Sequence, residues 1–502
     1  MIGSIFRFLS GILFLFSLSV GSIYSETPTW KEAKPFLEET MTNAGLDGLG
    51  ILLSGSKTQE IQGIGRYSLE SLSSLSQDTL YPLGNLSDFL LRIWFFRMES
   101  LGKLNLRDPI QAYLPEEKFG TIDHSITILH LLNSSSGLSF RDDRFLLNKN
   151  GEYISSLDEI NFLENELHFG LGDHSQKSIM ESILLRQIIQ DITKNNYIDT
   201  IKKDILVPLG IQSFTFSSTT AKKKGLVSYT YFFSSKIKVK ESNNLYFFNS
   251  VLQLYGKLED VSKLFAILSD PKSEFLKSEQ KDKFFTPITF ANDSSIKNYS
   301  YGFSKGTYQS IDFYYYPFYG DGNSSTLVIV PSKNLTLFLV TNVNFLPGLK
   351  SITLNFAKFL LFKNKEFTLE NCEDKIYSLI GLSQLFLTFL LITINSFIVI
   401  QYITQTRKVV ENKMVLMGKF LISLGSFLFL VWFRFLALPN IDSFSNLTSR
   451  FDSSSFHGWK FEVYFGFLSL LVCSFLFVLT YSFAITKYNF YSRITPKKVN
   501  SN

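Results

Sequence analysis

Several places in this chain put a serine three residues before a lysine, among them Ser54 to Lys57, Ser235 to Lys238 and Ser278 to Lys281. On a helix that spacing sets both groups on one face. A buried lysine of lowered pKa can then take the serine proton and make the hydroxyl a nucleophile for acyl transfer. The surroundings argue against that chemistry here. Ser54 to Lys57 falls in the turn of an expected hairpin, where Gly-Ser-Lys separates two short apolar runs. The other two pairs sit in polar, lysine-rich stretches, and so loose a pattern is expected by chance in a chain rich in both residues. Five scattered histidines, two cysteines and no Cys-x-x-Cys imply neither a metal centre nor a cofactor.

A stronger candidate lies at the head of an apolar helix. Thr79 to Pro115 reads TLYPLGNLSDFLLRIWFFRMESLGKLNLRDPIQAYLP. It resembles the segment around the nucleophile of the serine β-lactamase and penicillin-binding-protein family, above all the class C and esterase-like branch. That family reads about TLF-x-IGS-x-x-K, a helix, then L-x-x-GKL-x-L-x-D-P-x-x-x-YLP. Four more stretches follow in family order. They are SITILHLLNSSSGL (Ser125 to Leu138), ILVPLGIQSFTF (Ile205 to Phe216), LEDVSKLFAIL (Leu258 to Leu268) and SSTLVIVPSKNLTLFLVTN (Ser324 to Asn342). The resemblance implies an α+β fold of the β-lactamase/transpeptidase type over residues 30–362. Its antiparallel sheet is flanked by helices and carries an inserted helical lobe.

The same resemblance implies that the family's chemistry is gone. Asn85 stands at the nucleophilic serine and Asp88 at the lysine. Ser87 is two residues on, about 200° around the helix, and is expected to point elsewhere. The family's Tyr-x-Asn motif precedes a helix reading about LLG-x-IIE. That helix is present as ILLRQIIQ, Ile183 to Gln190, which places the motif near Lys177, Ser178 and Ile179, and no tyrosine occurs between Tyr153 and Tyr197. The third motif, Lys or His, a small residue, then Gly, falls in YYYPFYGDGNSS, Tyr314 to Ser325, where no Lys or His is found. No catalytic residue is therefore assigned. Asn85, Ser87, Asp88, Lys177, Asp321 and Gly322 are expected to line a degenerate ligand-binding pocket, with Asp88 and Lys177 placed to pair. A hydrolase that uses residues outside the family set stays open as the alternative. The tyrosine run Tyr314 to Tyr316 alternates along an expected strand, which divides it between core and surface.

The ends of the chain read as membrane segments. Arg7 followed by the apolar run Phe8 to Val20 fits a signal peptide over residues 1–25, or an uncleaved anchor. After a linker at 363–378, three apolar stretches, 379–403, 415–438 and 461–485, are each long enough to cross a bilayer of about 30 Å. Arg407, Lys408 and Lys413 follow the first stretch, and Lys487, Arg493, Lys497 and Lys498 lie in the 486–502 tail. The positive-inside rule then puts that loop and the tail in the cytoplasm and the large domain on the far side of the cytoplasmic membrane. The expected partners are the membrane itself and a cell-wall component, peptide or membrane protein. A net charge of +5 over 502 residues with no basic stripe gives no reason to expect nucleic acid.

Overall fold

Alternation along the closing strands sets the architecture. In Leu335–Thr341, Leu337 and Leu339 face one way and Phe338 and Val340 the other, yet every residue is buried. Such a strand needs cover on both faces of its sheet. The sheet has seven antiparallel strands. In spatial order they are Gln59–Gly65, Gly48–Ser54, Leu335–Thr341, Asn323–Val330, Ile311–Gly320, Phe303–Tyr308 and Tyr299–Ser300. The expected hairpin is its edge, with Leu52 opposite Ile61. The computed structural model describes residues 30–363, except 56–58, 69–73, 115–124, 139–169, 217–226, 239–253, 289–298 and shorter gaps that include Lys177 and Asp321. Beyond 363 it describes Phe386, Phe389, Leu390 and Thr393.

One face of the sheet is covered by helices α1 (Trp30–Ala44) and, from the other end of the domain, Leu346–Phe362. Phe36 stacks on Phe359 with ring centroids 4.8 Å apart. The other face holds the lobe: α2 (Leu86–Ser100), α3 (Ile128–Asn133), α4 (Ile179–Thr193), α5 (Tyr197–Ile201), α6 (Leu258–Ser269) and α7 (Ser278–Phe285). The helix over residues 346–362 is α8. The sequence at the centre of the lobe explains its position. Every residue of α2 from Leu86 to Met98 is buried except Arg97, and a mainly apolar helix buried all round lies in the middle of a fold. Phe89 meets the rings of Phe265, Phe284, Phe303, Tyr316 and Phe318 at 5.7–6.3 Å.

The tyrosine run is divided between the two faces of the sheet. Tyr314 and Tyr316 are buried on the lobe side, with Tyr316 stacked on Phe318 at 4.4 Å, while Tyr315 lies in the other layer under the Lys350 ammonium at 4.5 Å. Tyr316 is thus part of the core and offers no open ring. The serine–lysine pairs are also settled by their elements. Ser235 and Lys238 are in a strand, where a spacing of three puts residues on opposite faces. Ser278 and Lys281 do open a helix, but the Lys281 ammonium donates to the carbonyl oxygens of Asp270 and Ser273.

Among the described residues no helix is long and apolar enough to cross a membrane. The expected signal peptide, the linker, the second and third spans and the tail lie outside the described residues, as does nearly all of the first span.

Candidate functional site

The head of α2 is locked in place by backbone contacts. Leu83 N–H donates to the Leu254 carbonyl at 2.7 Å, and Leu254 N–H to the Gly84 carbonyl at 3.1 Å. The Asn85 carbonyl then accepts the Asp88 N–H at 2.9 Å and starts the helix. On its other side lies the turn between the Ile311–Gly320 and Asn323–Val330 strands. A side chain at Gly320 would put its Cβ 2.9 Å from the Asn323 carboxamide and 3.1 Å from the Gly84 Cα, so glycine eases this close approach. The turn that carries Gly322 thus approaches the head of α2 through Gly320 and Gly84, and Asn85 and Gly322 are both buried. Gly322, at φ 71°, passes its carbonyl to the Tyr229 N–H at 3.1 Å. Asp321 lies outside the described residues.

Asp88 pairs with Arg186 of α4 at 3.1 Å, and its expected partner Lys177 lies outside the described residues. The side chains are 1% and 0% exposed. The same Arg186 nitrogen donates to Ser87 Oγ at 3.2 Å, and the other terminal nitrogen donates to the Ser182 carbonyl at 2.8 Å. Ser87 and Asp88 thus share a partner, whereas the helical wheel alone turns Ser87 away. Position also favours Asp88. A carboxylate in the first turn of a helix meets the positive end of its dipole.

A second arginine sits one turn further along α2. Arg92 donates through Nε to the Leu132 carbonyl and through Nη1 to the Asp88 carbonyl, both at 3.2 Å, and its guanidinium lies 5.9 Å from the Tyr316 ring centre. Burial opposes its charge, but Tyr316, Tyr299, Asp88 and Glu181 more than offset that and raise its pKa. Glu181 anchors the next element. Its Oε2 accepts the Ser178 N–H at 3.2 Å, and Ser178 Oγ accepts the Met180 N–H at 3.2 Å, a capping box that opens α4. Its Oε1 accepts the Ser136 hydroxyl at 2.6 Å. Burial pushes the Glu181 carboxyl up to about 7, against the pull of hydrogen bonds from Ser136, Ser178 and Ser134.

This arrangement has charge but no activated nucleophile at the helix head. The carboxamide of Asn85 cannot replace a serine hydroxyl, and Asp88 is held as an anion by a guanidinium. Arginine keeps its proton in proteins, so Arg186 cannot act as a base toward Ser87. Ser136 and Glu181 do form a serine–carboxyl contact, but both are buried and Glu181 is also engaged in the α4 cap. Among the described residues no group of His, Cys, Asp and Glu could hold a metal ion.

Fold and site define the class. The Beta-lactamase family model matches residues 36–353, and the chain belongs to that family. It is 23% identical over 314 residues to Protein flp of Staphylococcus aureus strain MW2, a match covering 61% of this chain and 62% of that protein. The chain thus spans less than two thirds of that relative. A β-lactamase of Providencia stuartii is 29% identical over 137 residues, 27% of this chain and 35% of the enzyme. Among solved structures, the octameric penicillin-binding protein homologue of Pyrococcus abyssi has the same fold. Its TM-score is 0.57 at 19% identity, over 68% of this chain and 79% of that one. The class C β-lactamase of Rhodobacter sphaeroides superposes with a TM-score of 0.52 at 16% identity, over 66% of this chain and 98% of that one.

Reading the motifs one at a time misses Arg186, Arg92 and Glu181. A signal for Arg186 was nevertheless present. In ILLRQIIQ the arginine occupies the glycine of the LLG-x-IIE pattern. The arginine at that position and the acidic residue at Asp88 meet in one ion pair.

Proposed function

We propose that this protein is a membrane-anchored member of the β-lactamase family that has given up acyl transfer and binds a cell-envelope ligand or partner. The carrying observation is the buried Asp88–Arg186 ion pair at the point where the family places its catalytic lysine. Loss of a nucleophile alone costs on the order of 10⁶ in turnover in another serine hydrolase. Here the base and the tyrosine position are changed too. The fold around them is kept, with a continuous core and a tied helix head, which is what a binding role needs. The similarity to penicillin-binding-protein homologues directs the ligand reading toward wall peptides, and a membrane protein is the other partner class.

Anchoring rests on the three apolar stretches, the placement of Arg and Lys around them and the N-terminal apolar run. In the first stretch Phe386, Phe389 and Leu390 are exposed, and the Thr393 hydroxyl donates to the Phe389 carbonyl four residues back at 2.9 Å, as on a helix with an uncovered apolar face. The domain over residues 30–362 is then extracytoplasmic and the tail cytoplasmic. A periplasmic-type reporter fused after Lys498 should be inactive; an exported one reverses the topology.

The test of catalysis is covalent labelling of the purified full chain in detergent with fluorescent penicillin and with a fluorophosphonate. No adduct is expected. Asn85→Ser with Asp88→Lys, made together with Arg186→Gly to remove the opposing charge, should restore little, because the Tyr-x-Asn and Lys/His-x-Gly positions still lack their groups and catalytic groups act as a unit. The serine–carboxyl contact at 2.6 Å favours one alternative, a hydrolase centred on Ser136. Labelling abolished by Ser136→Ala would establish it and end the non-catalytic reading.

A further inference from the structure

The exit of α2 borders a cavity of about 400 Å³. Its floor is apolar and buried: Trp94, Met98 and Leu104. Its rim carries Lys103 on one side and Asp199, Lys203 and Asp204 from α5 and the turn after it. The end of α4, at Ile192, Thr193 and Asn195, closes the third side. Solvated charges alone would mean little. Three features set this place apart.

The first is the concavity, whose volume lies in the range of small-molecule sites, roughly 300–1,000 Å³. The second is the state of the charges. Asp199 and Lys203 are four residues apart, a spacing that pairs them on a regular helix. Here the chain passes into a π-helical turn, Lys202–Leu206, closed by Val207 N–H to the Lys202 carbonyl at 2.9 Å. A π turn widens the helix and shifts its register, and such turns recur at functional sites. Among the described residues Lys103, Asp199 and Lys203 make no ion pair, and all three are exposed. The third is the Trp94 indole, whose Nε1 donates to Asp204 Oδ2 at 2.8 Å. This bond fixes one carboxylate on the wall while its other oxygen remains available.

We propose that this groove binds a zwitterionic ligand of amino-acid to dipeptide size. Its ammonium meets Asp199 and Asp204, beside the carbonyl ends of α2 and α4, whose dipoles favour a cation. Its carboxylate meets Lys103 and Lys203. Its side chain lies on Trp94, Met98 and Leu104. The site is independent of the helix head and does not rest on the absence of acyl transfer.

The experiment is calorimetric titration of the full chain in detergent at low ionic strength with leucylglycine in its L and D forms, N-acetyl-leucylglycine and leucylglycinamide. The free dipeptide of one hand should bind with a millimolar or tighter Kd, and each capped form about tenfold more weakly, since each loses one charge contact. Lys103→Ala with Lys203→Ala should make the amide and the parent equal. Asp199→Asn should shrink the penalty of acetylation. All three positions are exposed, and urea unfolding of the variants checks that they fold. Absence of binding by both hands at millimolar concentration overturns the proposal. So does equal binding of free and capped forms, or binding indifferent to the three substitutions.

Discussion

The two ends of α2 treat charge in opposite ways. At its head Asp88, Arg92 and Arg186 are buried, and Arg186 alone makes three hydrogen bonds. At its exit Lys103 faces Asp199 and Lys203 across a cavity, exposed and without ion pairs among the described residues. Burial is the difference. A charge removed from water must find a partner inside the fold, whereas a charge at a rim can wait for one from outside. A catalytic lysine belongs between these limits, held by burial near its deprotonation point yet open to substrate. At the position where the resemblance places that lysine, this chain has a buried ion pair.

The largest effect that would sharpen this contrast comes from Asp88→Lys. It restores the family's residue type but sets an ammonium against Arg186 in a buried site. Breaking a buried pair costs about 3–5 kcal/mol, and a like charge adds to that. Urea denaturation should show a severely destabilised domain, and Arg186→Gly added to it should recover most of the loss. If Asp88→Lys alone is tolerated, the head of α2 is not the closed pair described.

Next comes pH. The Glu181 carboxyl titrates near 7 when folded and near 4.3 when unfolded. Between those values the folded chain holds the extra proton, so stability falls as pH rises through this window and levels off above it. Stability at pH 5.5 should exceed that at pH 7.5 by a contribution that Glu181→Gln removes. An unchanged slope in the variant would show that the carboxyl is not protonated in the fold.

Trp94→Phe should cost about 1.5–3 kcal/mol through the lost bond to the Asp204 carboxylate, measured by the same denaturation. The smallest effect is at the rim. Lys103→Ala should change stability by no more than about 0.5 kcal/mol, and a larger loss would mean that Lys103 is structural rather than open to a ligand.

The fold was readable because its evidence is local or ordered. The stretches TLYPLGNLSDFLLRIWFFRMES and SSTLVIVPSKNLTLFLVTN resemble the family's in order, and that resemblance implied the helix behind Asn85 and the two closing strands. The absence of a nucleophile at Asn85 was equally plain. What filled the vacancy was not, because Arg186 is 98 residues from Asp88, and sequence shows residue types without distances. The bond from Arg186 to Ser87 was hidden for a related reason. A helical wheel gives the direction of a Cβ, but a guanidinium as long as that of Arg186 reaches neighbours 100° apart. Glu181 was legible in principle, since Ser178 and Glu181 have the capping-box spacing. The groove was not legible at all. Lys103 and Asp199 line one cavity only through the packing of α2 against α5, and the π turn that follows Asp199 leaves no mark in composition.

One feature of the sheet bears on mechanics. Helices α1 and α8 pack on each other, and the strands that follow and precede them are hydrogen-bonded neighbours, with Leu49 opposite Thr341. Tension applied between residues 30 and 362 therefore enters this strand pair at one and the same end. It opens the ladder rung by rung, like a zipper, rather than shearing all its bonds together. Until that ladder parts, no tension passes through the lobe, and α2 with both of its charged ends stays unloaded.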